Sequence, residues 1–111
     1  MNEVKLSGIV NNSKYMTVGK SDMPLFSFVI VVEEQYESKT GPKVSKQYIN
    51  CKAWGKVAED VAINNVSDGT AVELKGKLTS GSYESKKYHD DSGAPAKMAT
   101  VDVNVNEIKV L

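Results

Sequence analysis

Alternation of apolar and polar residues runs through most of the chain and predicts half-buried β-strands. The first segment shows it clearly, because one face carries Val4, Leu6, Gly8 and Val10. Asn11–Ser13 then predicts a turn. The segment Leu25–Val32 is almost wholly apolar, which predicts a central strand covered on both faces or lying in an oligomer interface.

The second half of the chain begins with one more alternating strand, Tyr48–Trp54, followed by the one helix candidate. The helix should run from Gly55 to about Asn65, because its apolar residues have helical spacing. These residues are Val57, Ala58, Val61 and Ala62.

Two further strands are predicted after the helix. Thr70–Thr79 should direct Val72, Leu74 and Leu78 into the core. A long polar hairpin, Ser80–Pro95, leads to a last strand, Ala96–Leu111, whose inward residues are Ala99, Val101, Val103 and Val105. The apolar parity then shifts to Ile108 and Val110, which predicts a bulge near Asn106-Glu107.

Three strands, a short helix and two strands make an all-β layout, that of a five-stranded OB-fold Greek-key barrel with its helix between strands 3 and 4. Gly8 and Gly76 lie inside strands, where closing a small barrel requires sharp bends. The length of 111 residues fits one domain, and we expect residues 1–111 to form it.

Composition narrows the class of protein. With 41% hydrophobic and 25% charged residues, the chain is typical of a soluble globular protein. It has no apolar run of about 18 residues and no N-terminal signal pattern, so we expect a cytoplasmic protein. A single cysteine, Cys51, excludes an intramolecular disulfide and fits a reducing compartment. The lone His89 leaves too few ligands for a zinc site, and we expect neither metal nor cofactor.

The outward faces of two strands carry the candidate chemistry. Ile49, Cys51 and Ala53 should point inward, which turns the neighbouring aromatic and polar residues outward. On the third strand these are Tyr48, Asn50, Lys52 and Trp54, and on the fourth they are Glu73, Lys75, Lys77 and Thr79. Exposed aromatics in a cluster mark a binding site. Tyr36, Tyr83 and Tyr88 would extend this surface.

The net charge is zero, with fourteen acids and fourteen basic residues, all of them lysine. The lysines nevertheless gather in two segments, at Lys39, Lys43, Lys46, Lys52 and Lys56 and at Lys75, Lys77, Lys86 and Lys87. Bases of a single strand stack on aromatic rings while lysines neutralise phosphates, so this surface suits single-stranded nucleic acid. Tyr48 and Trp54 suit a protein interface as well, and lysines also solvate strand edges.

Three segments resemble bacterial single-stranded DNA-binding proteins. From Trp54 to Glu59 the chain has that family's aromatic-Gly-Lys-aliphatic-Ala-Glu run at the strand-to-helix junction. Asp68-Gly69-Thr70 and the strand Val72–Leu78 are similar to its turn and fourth strand, and Asn2–Gly8 is similar to its first strand. The resemblance extends from Asn2 to about Val110.

The resemblance implies a non-catalytic, largely sequence-independent single-stranded DNA-binding protein of replication, recombination and repair. It also implies a homo-oligomer, a tetramer or a dimer. The family's stacking positions fall on Tyr36, Tyr48, Trp54 and Tyr83. We expect the rest of the DNA-binding surface to comprise Asn50, Lys46, Lys52, Lys56, Lys75, Lys77, Lys86, Lys87 and Tyr88.

The sequence departs from the family in ending at Leu111, where the family continues into a Gly/Pro/Gln-rich linker and an acidic tip. This predicts either a trimmed chain or a short form such as phages and plasmids encode, without an acidic tail. No phosphate-binding glycine loop or HExxH motif occurs, so an enzyme is disfavoured. The alternative is an OB-fold protein-interaction module, such as a primosome-type accessory subunit.

Overall fold

A computed structural model describes residues 1–89 and 95–111, with side chains described for residues 1–81 and 100–111. Its strands close into a barrel in the order β1-β2-β3-β5-β4. The elements are β1 (Val4–Val18), β2 (Met23–Ser38), β3 (Gly41–Trp54), α1 (Lys56–Ile63), β4 (Ala71–His89) and β5 (Pro95–Val110). The predicted OB-fold barrel, with its helix between the third and fourth strands, is confirmed.

The predicted turn at Asn11–Ser13 is wrong. β1 continues through it to Val18, and the register against β2 shifts between Asn11 and Lys14. Asn12 takes a positive φ of 50° there. This irregularity bends the strand without ending it, because the residues beyond it pair again with β2. Asparagine tolerates that left-handed conformation, which is why the same residues are also typical of turns.

The core fills the barrel interior with residues from every strand and from α1. Phe28 and Ile30 of β2 are among its largest fully buried side chains. Ala58 and Val61 of α1 are buried in the same cluster and Val57 packs against it, whereas Ala62 of the predicted apolar set is exposed. Cys51 and Ala53 are buried as expected. On the other face of β2, Val29 and Val31 are half-buried, so this strand is covered more fully on one face than on the other.

Two residues predicted for the core lie at the surface. Leu78 and Val101 are 48% and 60% exposed. They follow the inward alternation of β4 and β5, but β1 pairs with β4 only between Val4↔Gly76 and Ile9↔Ala71. Beyond Gly76, β4 no longer pairs with β1, and β5 pairs with β3 only at Val103 and Asn104. We call the β4–β5 ribbon beyond these pairs the arm; among the described residues no other strand pairs with it. Ala99 lies outside the described side chains.

The predicted bulge on the last strand is confirmed. Lys75 of β4 pairs with Glu107, and the next residue, Gly76, pairs with Val105, so Asn106 is left without a partner. Gly76 is buried at this point, and a Cβ atom there would collide with the backbone carbonyl of Asn104. β4 and β5 therefore approach each other more closely than a side chain at position 76 allows.

In the described part of the chain, the only helix is far too short to cross a membrane.

Candidate nucleic-acid interface

The outward side of β3 is an aromatic and polar strip, which we call the β3 face: Tyr48, Asn50, Lys52 and Trp54. Tyr48 is 65% and Trp54 39% exposed. The burial of Cys51 and Ala53 on the opposite side fixes this orientation, because successive side chains of a strand point to opposite faces. Flat rings are thus available to a ligand on the side away from the core.

A row of outward residues crosses three strands next to Trp54. Lys52 of β3 lies beside Asn104 of β5, and Asn104 lies opposite Lys77 of β4. Ser27 of β2 extends the row on the other side of Lys52. Because paired residues point to the same side of a sheet, the row places two lysines and an amide on one surface.

A groove opens between β3 and the arm formed by β4 and β5. β3 and β5 share two residue pairs, Cys51↔Val103 and Lys52↔Asn104, and the strands separate beyond them. The groove has a volume of about 840 Å³. Its lining is mostly polar and consists of Ser27, Asn50, Cys51, Lys52, Trp54, Thr79, Ser80, Gly81, Thr100, Val101 and Asp102. An aromatic ring and hydrogen-bonding groups therefore face the same open space.

Acidic residues accompany three of the lysines predicted for the site. Lys52 Nζ lies 3.5 Å from Asp102 Oδ2, and Lys46 Nζ lies 3.6 Å from Glu33 Oε1. Lys75 Nζ lies 3.1 Å from Glu3 Oε1. Hydrogen bonding to this carboxylate raises the pKa of the Lys75 ammonium. The positive charge of these three lysines is thus partly compensated.

The structure brings several predicted residues together and separates others from them. Lys77 belongs to the row beside the groove, and Lys56 begins α1, exposed, two residues after Trp54. Lys75 instead lines a separate cleft of about 370 Å³ with Lys5 and Glu107. The side chains of four predicted site residues lie outside the described residues: Tyr83, Lys86, Lys87 and Tyr88.

Tyr36 is also separated from the β3 face. It pairs with Lys43 near the tip of the β2–β3 hairpin, whereas Tyr48 pairs with Val31 five residues away along β2. Tyr36 lies an even number of residues from Phe28 and Ile30 along β2, so its side chain points to the same side of the strand as theirs. Tyr48, paired with Val31, points to the other side of the β2–β3 hairpin. A base stacked on Tyr48 would thus not contact Tyr36 on the same surface.

Residues of β5 line the groove without having been predicted for it. Thr100 and Asp102 are groove residues, and Asn104 joins the row. The inward alternation of Val101, Val103 and Val105 already indicates that these residues point outward. Their position beside β3 depends on the parallel β3–β5 pairing, which local patterns do not indicate.

Cys51 is buried beneath the β3 face, and its Sγ donates a hydrogen bond to the Ile49 carbonyl over 3.5 Å. Burial raises the pKa of its thiol to about 12, because the charged thiolate would lose hydration. A thiol with so high a pKa stays protonated near neutral pH and is a poor nucleophile. The expectation that Cys51 fills the core is confirmed.

The model of the single-strand binding protein family matches residues 1–111 of the sequence. The chain belongs to this family. It is 32% identical over 65 residues to a single-stranded DNA-binding protein of Staphylococcus epidermidis, an alignment that covers 59% of this chain and 48% of that protein. The chain spans about half the length of this curated relative.

A solved structure supports the fold. The single-stranded DNA binding protein of Thermus aquaticus, crystallised as a deletion mutant, superposes with a TM-score of 0.77 at 16% identity. The superposition covers 100% of this chain and 50% of that one. This family member therefore shares the OB-fold barrel with a structure whose sequence differs at most positions.

Proposed function

We propose that this chain binds single-stranded DNA without catalysing a reaction and with little dependence on base sequence. The observation that supports this best is the β3 face, where exposed Tyr48 and Trp54 flank Asn50 and Lys52 beside an open polar groove. Membership in the single-strand binding protein family supports the same ligand. Roles in replication, recombination and repair, inside the cytoplasm, follow as part of the proposal.

Base stacking and phosphate contacts both contribute to the affinity. Stacking on an aromatic ring stabilises a bound base by about 1–3 kcal/mol and accepts any base, because every base has a π-face. Lysines near the groove, such as Lys77 and Lys56, contact phosphates as point charges and do not distinguish sequences. Trp54 and Tyr48 are the proposed stacking residues, and Tyr36 and Tyr83 remain proposed as outlying ones.

Tryptophan emission tests this function directly, because Trp54 is the only tryptophan in the chain. Adding oligothymidine should quench its emission saturably, and the affinity should fall steeply as the salt concentration rises. Duplex DNA of equal length is the control and should compete poorly, because its bases are already stacked. Equal competition by duplex DNA would contradict the proposal.

We also propose that the chain forms a homo-oligomer, a tetramer or a dimer. Ile9 is 43% exposed on the outer side of β1, opposite the half-buried Val31 of β2, and Leu111 lines the same shallow cleft. Adjacent apolar side chains at the surface favour burial against a second copy. Sedimentation at micromolar concentration should show a species larger than 12 kDa, and a purely monomeric protein would contradict this.

The second candidate function is protein docking through the same face. The acidic partners of Lys46 and Lys52 favour it, since they reduce the positive charge available to phosphates. A protein-docking face predicts little affinity for oligothymidine even at low salt. The fluorescence titration therefore distinguishes the two functions in one experiment.

A further inference from the structure

The groove contains one ion pair that differs from the other two in the described residues. The side chain of Asp102 is 18% exposed, while those of Glu33 and Glu3 are 61% and 41% exposed. Thr79 Oγ1 donates a hydrogen bond to the Asp102 backbone carbonyl over 3.3 Å, which connects Asp102 to its neighbour on β4. The Asp102 carboxylate is thus part of the groove wall, whereas the Lys52 side chain, at 43%, is nearly as exposed as those of Lys46 and Lys75.

From this difference we propose that Asp102 is a positioning residue that holds Lys52 against the groove wall, so that Lys52 contacts a base of the bound strand and not a phosphate. The inference rests on the proposed function and says which part of the DNA strand, base or phosphate, contacts Lys52. Phosphates then lie outside the groove, near lysines such as Lys77. Lys52 is withdrawn from phosphate binding, although its charge and its place in the sequence suggest that role.

Charge is the first argument. A phosphate oxygen within hydrogen-bond distance of Lys52 Nζ, about 2.9 Å, would lie no more than about 6.4 Å from Asp102 Oδ2. Because Asp102 is mostly shielded from water, its repulsion of a phosphate is weakly screened. The pair sums to zero charge, and the other described residues of the groove lining are uncharged. A neutral polar groove disfavours phosphate and accepts a base.

The chemistry of the lining is the second argument. Trp54 supplies a ring, while Asn50, Thr79 and Thr100 supply amide and hydroxyl groups that donate and accept hydrogen bonds. Base edges carry both donors and acceptors, whereas phosphate oxygens only accept. With Asp102 fixing the ammonium, Lys52 can donate to a base carbonyl without its stem losing further freedom.

The test measures the salt dependence of oligothymidine binding, followed by Trp54 emission, for two changes. K52Q/D102N removes the ion pair and leaves the net charge unchanged. K77Q removes a lysine from the same row that has no ion-pair partner in the described residues. The slope of log affinity against log salt counts phosphate contacts, at about 0.7 for each one on a single strand.

We expect K77Q to reduce the slope by about 0.7. K52Q/D102N should keep the wild-type slope and lose affinity several-fold at every salt concentration. K52R preserves the ion pair and should keep the wild-type affinity. Melting temperatures of all variants, measured alongside, identify any loss of affinity that comes from unfolding, and K52R keeps the test informative if K52Q/D102N folds poorly.

Three outcomes would overturn the inference. A slope reduced by about 0.7 in K52Q/D102N would place a phosphate on Lys52. A steeper slope and tighter binding in D102N alone would mean that Asp102 merely competes with phosphate for Lys52. Unchanged affinity and slope in K52Q/D102N would make the pair an ordinary surface contact. Failure of the wild-type protein to bind oligothymidine would instead contradict the proposed function itself.

Discussion

Lys75 and Lys77 lie two residues apart on the same side of β4, yet they belong to different surfaces. Lys75 pairs with Lys5 of β1 and Glu107 of β5 and forms an ion pair with Glu3. Lys77 pairs with Asn104 and thereby joins the row that leads to Lys52 and the groove. Neighbouring strands, more than proximity in sequence, therefore decide which lysines can serve one ligand.

The boundary between the two surfaces is Gly76, so changing it should have the largest effect. In Gly76→Ala the new Cβ would collide with the Asn104 carbonyl, and β4 would have to move away from β5. We expect the free energy of unfolding to fall by about 1–3 kcal/mol, measured by urea denaturation.

Gly81→Ala is the matched control on the same strand. Its Cβ would approach the Thr100 side chain at 3.1 Å, and that hydroxyl can rotate away. The control should be nearly neutral for stability. Equal losses in the two variants would mean that the contact with the Asn104 carbonyl is not the reason that position 76 requires glycine.

Much of the fold follows from the sequence because the barrel obeys local rules. The alternation around Cys51 and Ala53 correctly orients the β3 face, and the parity shift after Val105 correctly locates the bulge. Leu78 shows where the rule stops, since alternation gives the side of a strand but not whether another strand covers it.

The candidate site was less predictable than the fold. Its ion pair joins Lys52 to Asp102, fifty residues away, through a parallel pairing of β3 and β5. The separation of Tyr36 from Tyr48 depends on the register of a long hairpin. Neither the pairing nor the register has a local signal in the sequence, so clusters of aromatics and lysines overestimated the extent of the common surface.

Trp54→Ala should have the next largest effect. Trp54 lines the groove beside the row that contains Lys77, so the substitution tests that surface. Losing a stacked base should reduce the affinity for single-stranded DNA by about 1–3 kcal/mol, and Tyr48→Ala should be comparable. Because Trp54 is partly exposed, the melting temperature of the Trp54→Ala protein should differ little from that of the wild type. Anisotropy of a labelled oligothymidine measures the affinity without the tryptophan.

Tyr36→Ala is the control for these aromatic substitutions, because Tyr36 projects from the other side of the hairpin. It should cost less affinity than either substitution on the β3 face. If Trp54→Ala lowered the melting temperature and left affinity unchanged, Trp54 would be a structural residue and would have to be removed from the proposed site.

The two lysines themselves provide a smaller but sharper test. Lys77→Gln should reduce the salt slope of oligothymidine binding by about 0.7, whereas Lys75→Gln should leave it unchanged. The variants have the same net charge, so a general electrostatic effect would change both equally. Equal reductions would mean that β4 contacts phosphates along its whole outward side.

The smallest effect is expected from Glu3→Gln, which separates two reasons for the difference between the lysines. If only its ion pair withholds Lys75 from DNA, freeing it should steepen the salt slope by about 0.7. If position decides, the slope should not change, because Lys75 still lies beside Lys5 and Glu107 and outside the groove. We expect no change.

In the same variant the pKa of Lys75, measured by NMR titration, should fall, because the Glu3 carboxylate is the main cause of its elevation. A lowered pKa together with an unchanged slope would show that the substitution freed the ammonium and that DNA still did not reach it.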